Sequence, residues 1–102
     1  MYYYTYMIRC KDGSLYTGMT NNIDSRLKRH LSGKGAKYTR AHQPEKIEIA
    51  WRTKEKSLAC KLEYQIKQLT KNQKEEIVHG EKLSIYLKNK IDSRRFRKII
   101  YN

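Results

Sequence analysis

The sequence predicts an α/β domain with a small, mostly antiparallel sheet of three strands flanked by helices. The stretch from Tyr2 to Cys10 is rich in aromatic and β-preferring residues and leads into an Asp-Gly turn signal. The stretch from Lys46 to Thr53 alternates apolar and polar residues, as a half-buried strand does. The segments between and after these strands repeat apolar residues every three to four positions, which is typical of helices. A chain of 102 residues is long enough for one modest core.

The first two strands form a hairpin, with the returning strand over Leu15 to Met19. The loop length decides which side chains share a face, because alternate residues of a strand point to opposite faces. A two-residue loop would place Tyr6 and Tyr16 on opposite faces. We favour a three-residue loop, 12–14, with Ile8 opposite Gly18, because the two tyrosines then lie on one face.

A helix is expected next, from Ile23 to Ser32, with two asparagines before it as candidate caps. Ile23, Leu27 and Leu31 recur every four residues and predict the buried stripe of this helix. Arg26 and His30 are also four residues apart, beside that stripe, so their side chains are neighbours on the helix surface.

The second half of the chain predicts two further helices and a basic C-terminal segment. Ser57 is the expected cap of a helix from Leu58 to Leu69, and Asn72 that of a short helix ending near His79. We divide the chain into a domain at residues 1–80 and a basic extension at 81–102. The extension has a weak helical signal from three apolar residues at spacing four.

The charge of the chain predicts a polyanionic partner. The formal net charge is +13 and the pI is about 9.9, which favours nucleic acid, with DNA as the expected partner. The loop from Gly33 to Arg40 carries Lys34, Lys37 and Arg40 as candidate phosphate contacts and Tyr38 as a candidate base-stacking platform. A solvated basic surface is the alternative.

The sequence favours a cytoplasmic protein with no membrane partner. The N-terminus lacks the basic and apolar regions of a signal peptide, and no apolar run approaches the ~20 residues of a membrane span. Cys10 and Cys60 are far apart and show no zinc-binding spacing, so free thiols in a reducing compartment are expected.

Five residues are candidates for catalysis. Tyr6 and Tyr16 are ten residues apart on the first two strands, and Arg26 and His30 lie on the first helix. A tyrosine needs nearby positive charge to act as a general base, and Arg26 supplies a bidentate group for a phosphate. Glu63 lies at the margin of an apolar helical stripe, where it is either one half of an ion pair or a ligand of Mg²⁺. The absence of a close carboxylate pair in the sequence favours one ion over two.

These positions resemble the GIY-YIG nuclease superfamily in order and spacing. The motifs are Thr5-Tyr6-Met7 and Tyr16-Thr17-Gly18, followed by Arg26 and His30 on one helix and Glu63 on a later one. The resemblance covers about Tyr3 to Ile77. The segments RCKDGSLYTG and GKGAKYTR are similar to the small stand-alone branch related to the nuclease domain of the excision-repair enzymes.

The chain departs from that pattern at four places. The first tripeptide lacks its glycine, and Thr17 replaces isoleucine in the second. Met19 stands where the excision-repair relatives often carry lysine, which removes one cation. His30 stands where they carry tyrosine, as in the homing-endonuclease branch.

The resemblance implies hydrolysis of one DNA strand with a single Mg²⁺ or Mn²⁺ ion. One tyrosine would activate water, Arg26 would stabilise the scissile phosphate and Glu63 would bind the ion; which tyrosine is the base stays open. We therefore expect a metal-dependent endonuclease that acts on DNA, with repair or recombination as its setting. It would find its substrate through its own charge or through a protein partner. The alternatives are a non-catalytic nucleic-acid-binding module of the same fold and a small basic partner of a ribonucleoprotein.

Overall fold

The computed structural model describes residues 1–35 and 37–101. The elements within them, in chain order, are β1 (Tyr3–Cys10), β2 (Leu15–Thr20), α1 (Ile23–Leu31), α2 (Lys37–Ala41), β3 (Pro44–Thr53), α3 (Lys56–Lys67), α4 (Lys71–Val78), α5 (Leu83–Leu87), a 3-10 helix (Ser93–Arg95) and β4 (Arg97–Ile100). Ala36 of the predicted phosphate-binding loop and Asn102 of the predicted extension lie outside the described residues. None of the helices in the described ranges has the length and apolar content that crossing a bilayer requires.

The sheet has the strand order β2-β1-β3-β4, and every pairing is antiparallel. The predicted α/β class is confirmed, but the prediction of three strands was wrong, because β4 pairs with the outer side of β3. The sequence of β4, RKII, is short and half charged, as suits a sheet edge, and it carries no alternating apolar pattern. The division of the chain at residue 80 stays a prediction.

Apolar side chains fill both faces of the sheet. One face packs under α3, α4 and α5 through nine buried residues: Met7, Ile49, Trp51, Leu62, Ile66, Ile77, Leu83, Leu87 and Ile91. The other face packs under α1, where Ile23 and Leu27 cover Tyr6, Ile8 and their neighbours. Because both faces are covered, strand β1 is buried along most of its length and can hold a side chain such as Tyr6 rigidly.

Arg9 joins the hairpin to α4. Its Nε donates to Glu48 on β3 at 2.9 Å, and two further N–H groups donate to both carboxylate oxygens of Glu75 at 2.6 Å each. A bidentate pair of this kind fixes orientation as well as distance. The middle of α4 is therefore fixed relative to the hairpin that carries the two tyrosines.

The hairpin turns through a loop of three residues, 11–13. The amide of Cys10 donates to the Ser14 carbonyl at 2.9 Å, and Gly13 takes a φ of +87°, which glycine adopts without strain. Tyr6 lies opposite Gly18, two positions away from the predicted register, so that register was wrong. A shift of two residues leaves each side chain on the same face of the sheet, so Tyr6 and Tyr16 share a face as predicted.

Helix α1 begins where predicted, with the Asn22 side chain accepting from the Ser25 amide at 3.1 Å. Its buried face differs from the predicted stripe, because His30 is fully buried while Leu31 is 54% exposed. The hydrogen bond between His30 and Tyr6 compensates for the burial of the polar imidazole ring. The spacing of apolar residues could not predict this burial, because histidine does not belong to the apolar pattern.

The caps of the later helices also differ from the prediction. α3 begins at Lys56, after Glu55, two residues before Leu58. α4 begins after Thr70, whose hydroxyl and the Gln73 side chain form a reciprocal capping box.

Candidate active site

The candidate site lies where β1, β2, α1 and α3 meet, and two tyrosines and a histidine form its centre. The Tyr6 hydroxyl is 2.9 Å from Nε2 of His30. The Tyr6 and Tyr16 rings are 6.4 Å apart, and the His30 and Tyr16 rings 5.4 Å apart. Side chains from two strands and one helix therefore meet at this point.

Gly18 lets Tyr6 reach His30. A β-carbon at this position would lie 2.5 Å from the Tyr6 hydroxyl oxygen and 3.0 Å from a ring carbon of Tyr16. A contact as short as the first does not occur between real atoms, so any side chain here would displace Tyr6. Gly35 approaches the other end of the pair, since a β-carbon there would clash with Nδ1 of His30.

Burial keeps Tyr6 and His30 uncharged. Tyr6 is 1% exposed and His30 is fully buried. Burial raises the pKa of Tyr6 far above its ordinary value, and the nearby Tyr16 adds to the shift while Arg26 opposes it. Burial also lowers the pKa of His30, with the positive charges of Arg26 and Arg29 acting in the same direction. Both groups are therefore neutral at pH 7.

A neutral buried histidine makes stability depend on pH. The folded chain holds the pKa of His30 below its ordinary value of 6.5. Below pH 6.5 the unfolded chain therefore binds a proton that the folded chain does not, and the stability is lost as the pH falls toward the folded pKa. We expect the free energy of unfolding in urea to fall as the pH drops below 6.5, with a slope of up to about 1.4 kcal/mol per pH unit.

His30→Gln keeps a polar group near the Tyr6 hydroxyl and should remove this slope. His79→Gln, at the exposed end of α4, is the matched control and should retain it. Equal slopes in both variants would contradict the assignment to His30.

Tyr16 is half-buried, next to a pair of opposite charges on α3. The Nζ of Lys67 lies 6.0 Å from the centre of the Tyr16 ring and 3.3 Å from a carboxylate oxygen of Glu63. Burial raises the pKa of the Tyr16 hydroxyl, and the charges of Lys67 and Arg26 oppose the shift. Tyr16 thus has more cationic support than Tyr6 and more access to solvent. The sequence offered no signal for Lys67.

Arg26 borders a cavity of about 250 Å³ at the end of the sheet where β1 begins and β2 ends. Tyr3, Met19 and Lys56 also line this cavity. Met19 brings no charge to it, whereas Lys56, the first residue of α3, brings a cation to the same space. Sequence analysis missed Lys56, because the fold alone brings the start of α3 next to the end of β2.

Tyr38 of α2 continues the aromatic group outward. Its ring stacks on Tyr16 at 5.8 Å and on His42 at 4.1 Å, and Nδ1 of His42 lies 2.6 Å from a carboxylate oxygen of Asp12. The predicted stacking residue is thus fixed between two rings and is 36% exposed. The other predicted nucleic-acid contacts, Lys34, Lys37 and Arg40, are exposed near it. His42 was missed by the sequence analysis.

The donor set of the site suits a divalent ion that keeps most of its water. No three His, Cys, Asp or Glu side chains within the described ranges are grouped closely enough to hold a metal among themselves. Glu63 on α3 is close enough to the tyrosines for its charge to raise the pKa of both. Mg²⁺ commonly binds through one or two carboxylates, several waters and substrate phosphates, which fits one such carboxylate.

This constellation on a small antiparallel sheet is the arrangement that the sequence resemblance predicts for a nuclease-type catalytic domain. The chain belongs to the GIY-YIG catalytic domain family, whose model matches residues 2–76. The resemblance predicted from the sequence is confirmed.

The chain is similar to small proteins, one of which has a solved structure. The UPF0213 protein BH0048 of Halalkalibacterium halodurans is 46% identical over 78 residues, which are 76% of this chain and 83% of that protein. The UPF0213 protein FN1575 of Fusobacterium nucleatum is 49% identical over 78 residues, 76% of this chain and 78% of that one. The solution NMR structure of BH0048 from Bacillus halodurans has a TM-score of 0.53 at 40% identity and covers 90% of this chain and 98% of its own.

Proposed function

We propose that this protein is a metal-dependent endonuclease that hydrolyses phosphodiester bonds in DNA with one Mg²⁺ or Mn²⁺ ion. The observation that carries the proposal is the cluster of Tyr6, Tyr16 and His30 in a strongly basic chain. The charges of Arg26 and Glu63 act on the pKa of both tyrosines, which supports a shared site. A polyanionic substrate, a cation for the phosphate and a carboxylate for a metal are then all available. Cytoplasmic location, a protein partner and a role in repair or recombination stay predictions from the sequence.

We assign the general base to Tyr16 and a positioning role to Tyr6 and His30. Transfer of the Tyr6 proton to His30 would create two buried charges, and the pKa shifts of both groups oppose it. Tyr16 is half-buried and has Lys67 and Arg26 nearby, which favour its phenolate. The hydrogen bond between Tyr6 and His30 fixes the His30 ring, and the Tyr16 ring packs against it.

Arg26 and Lys56 bind the scissile phosphate in this proposal. Both border the cavity at the end of the sheet where β1 begins and β2 ends, and a guanidinium can hold two phosphate oxygens at once. Their charges lower the energy of the pentacoordinate transition state, where negative charge accumulates. Lys34, Lys37 and Arg40 contact the neighbouring phosphates, and Tyr38 stacks on a base beside them.

Glu63 holds the divalent ion. The bound ion would polarise the phosphate and supply a water of lowered pKa. Lys67 forms an ion pair with the Glu63 carboxylate in the free protein. A divalent ion must therefore displace Lys67 before it can bind this carboxylate. The ion pair is half-exposed and weak, on the order of 0.5 kcal/mol, and gives way readily.

The same ion pair favours the alternative, a non-catalytic nucleic-acid-binding module in which Glu63 only neutralises Lys67. The two functions are separated by incubating branched and single-stranded DNA, and RNA of the same sequences, with the protein in Mg²⁺, Mn²⁺ or EDTA. A nuclease yields cleaved DNA that requires the divalent ion. Binding to all three substrates without cleavage under any of these conditions would establish the binding module instead.

A further inference from the structure

A second basic cleft lies beyond the candidate active site, between the C-terminal segment and the end of the sheet where β1 begins and β3 ends. Its volume is about 570 Å³. Five cationic residues line it: Arg52, Lys54, Arg94, Arg95 and Arg97. Glu55 is the acidic residue that lines it. None of these residues has a role in the chemistry proposed above.

Two of the arginines face each other across the sheet. Arg52 on β3 lies directly opposite Arg97 on β4, so their side chains stand on the same face. Like charges that are directly opposite in this way destabilise a strand pair. An anion bound between the two guanidinium groups would remove the repulsion.

Arg52 is also held ready for a further partner. Its guanidinium carbon lies 4.1 Å from the centre of the Tyr2 ring, which covers one face of the group. Its Nε is buried and has no hydrogen-bond partner in the part of the chain that the structure describes. Buried donors are rarely left unsatisfied, so an acceptor on a bound molecule would complete the hydrogen bonding of this group.

The other arginines of the cleft have partners of their own. Arg94 Nε lies 3.0 Å from a carboxylate oxygen of Asp92, and Arg95 pairs with Glu55. For Arg52 and Arg97, no carboxylate partner is found among residues 1–35 and 37–101. The cleft therefore retains two uncompensated guanidinium groups that face each other.

We propose that this cleft binds a backbone phosphate of nucleic acid, with Arg52 and Arg97 on its oxygens. The cleft adjoins the Arg26 cavity, since Tyr2 and Glu55 line one while their chain neighbours Tyr3 and Lys56 line the other. Neighbouring Cα atoms are about 3.8 Å apart, so a nucleic-acid strand bound at Arg26 and Lys56 would have only a short distance to cover to reach the cleft. The choice of nucleic acid over an acidic protein segment rests on the proposed function.

Arg97→Glu tests this site by two effects of opposite sign. The new carboxylate would face Arg52 and take the place of the phosphate. We expect the melting temperature of the DNA-free protein to rise. The affinity for a short fluorescein-labelled DNA duplex in EDTA should fall roughly tenfold, and the salt slope of log K should become shallower by about 1 to 2.

Lys98→Glu is the matched control, because it makes the same charge change at the next residue of β4, on the other face of the sheet. It should weaken binding less and should not raise the melting temperature. Equal losses of affinity in the two variants, or unchanged affinity in Arg97→Glu, would overturn the proposal. If Arg97→Glu does not fold, Arg52→Gln and Arg97→Gln give the same comparison against Lys98→Gln.

The binding assay contains no divalent ion, so it separates this inference from the proposed enzymatic function. A difference between Arg97→Glu and Lys98→Glu supports the cleft even if the wild type cleaves nothing. If the wild type cleaves DNA but the two variants bind DNA equally well, the proposed nuclease function stands and the proposed phosphate site in the cleft is rejected. An oligoglutamate peptide that binds the wild type but not Arg97→Glu, with unchanged DNA affinity, would reject nucleic acid as the occupant.

Discussion

Glu63→Gln is expected to lower the rate of Mg²⁺-dependent DNA cleavage by at least about 10³-fold. The carboxylate is the candidate metal ligand, its charge acts on both tyrosines, and an amide is a poor substitute for it. The substitution also breaks the pair with Lys67, whose 3.3 Å contact is half-exposed and contributes little to stability. The melting temperature should therefore stay within a few degrees of the wild type while activity is lost. Single-turnover cleavage of a labelled substrate, with thermal unfolding of the same samples, measures both.

Glu45→Gln is the control for this change. Glu45 is exposed at the start of β3 and has the same side chain, so its substitution should leave cleavage and stability unchanged. DNA affinity in EDTA should not fall in Glu63→Gln, because an acidic group has been removed from a basic surface. Undiminished cleavage by Glu63→Gln in both Mg²⁺ and Mn²⁺ would remove Glu63 as the metal ligand.

Tyr16→Phe is expected to lower the cleavage rate by about 10² to 10⁴-fold, the usual contribution of a general base. Phenylalanine keeps the ring that stacks on Tyr38 and lies beneath Lys67, so only the hydroxyl is lost. Because burial raises the pKa of this hydroxyl, the wild-type rate should increase about tenfold per pH unit from neutral pH upward. That dependence should be absent from the residual activity of Tyr16→Phe.

Two further tyrosines serve as comparisons. Tyr64→Phe, at a residue 62% exposed on α3, should leave the rate unchanged. Tyr6→Phe removes the partner of His30 and should lower the rate, but the residual activity should keep the pH dependence of the wild type. If Tyr6→Phe loses that dependence and Tyr16→Phe retains it, the roles of the two tyrosines are the reverse of our assignment.

The sequence by itself was sufficient for the class of the fold and for the first three strands. The alternation along Lys46 to Thr53 and the Asp-Gly turn are local signals, and they can be recognised without knowledge of the tertiary structure. The GIY-YIG resemblance likewise rests on the order of residues along the chain, and the family match confirms it. The two tyrosines were placed on one face, since an error of two residues in register preserves the faces of a strand.

The tertiary structure decided the features that depend on long-range pairing. β4 forms only because β3 offers it a free edge, and its own sequence carries no strand pattern. His30 is buried because it forms a hydrogen bond with the Tyr6 hydroxyl, 24 residues away in the chain. The apolar periodicity had predicted that Leu31 would be buried instead. Lys56 and Lys67 reach the site because α3 crosses the sheet beside β2, and the opposition of Arg52 and Arg97 exists only through the pairing of β3 with β4. Such contacts join residues far apart in the chain, so no periodicity or spacing within one segment can encode them.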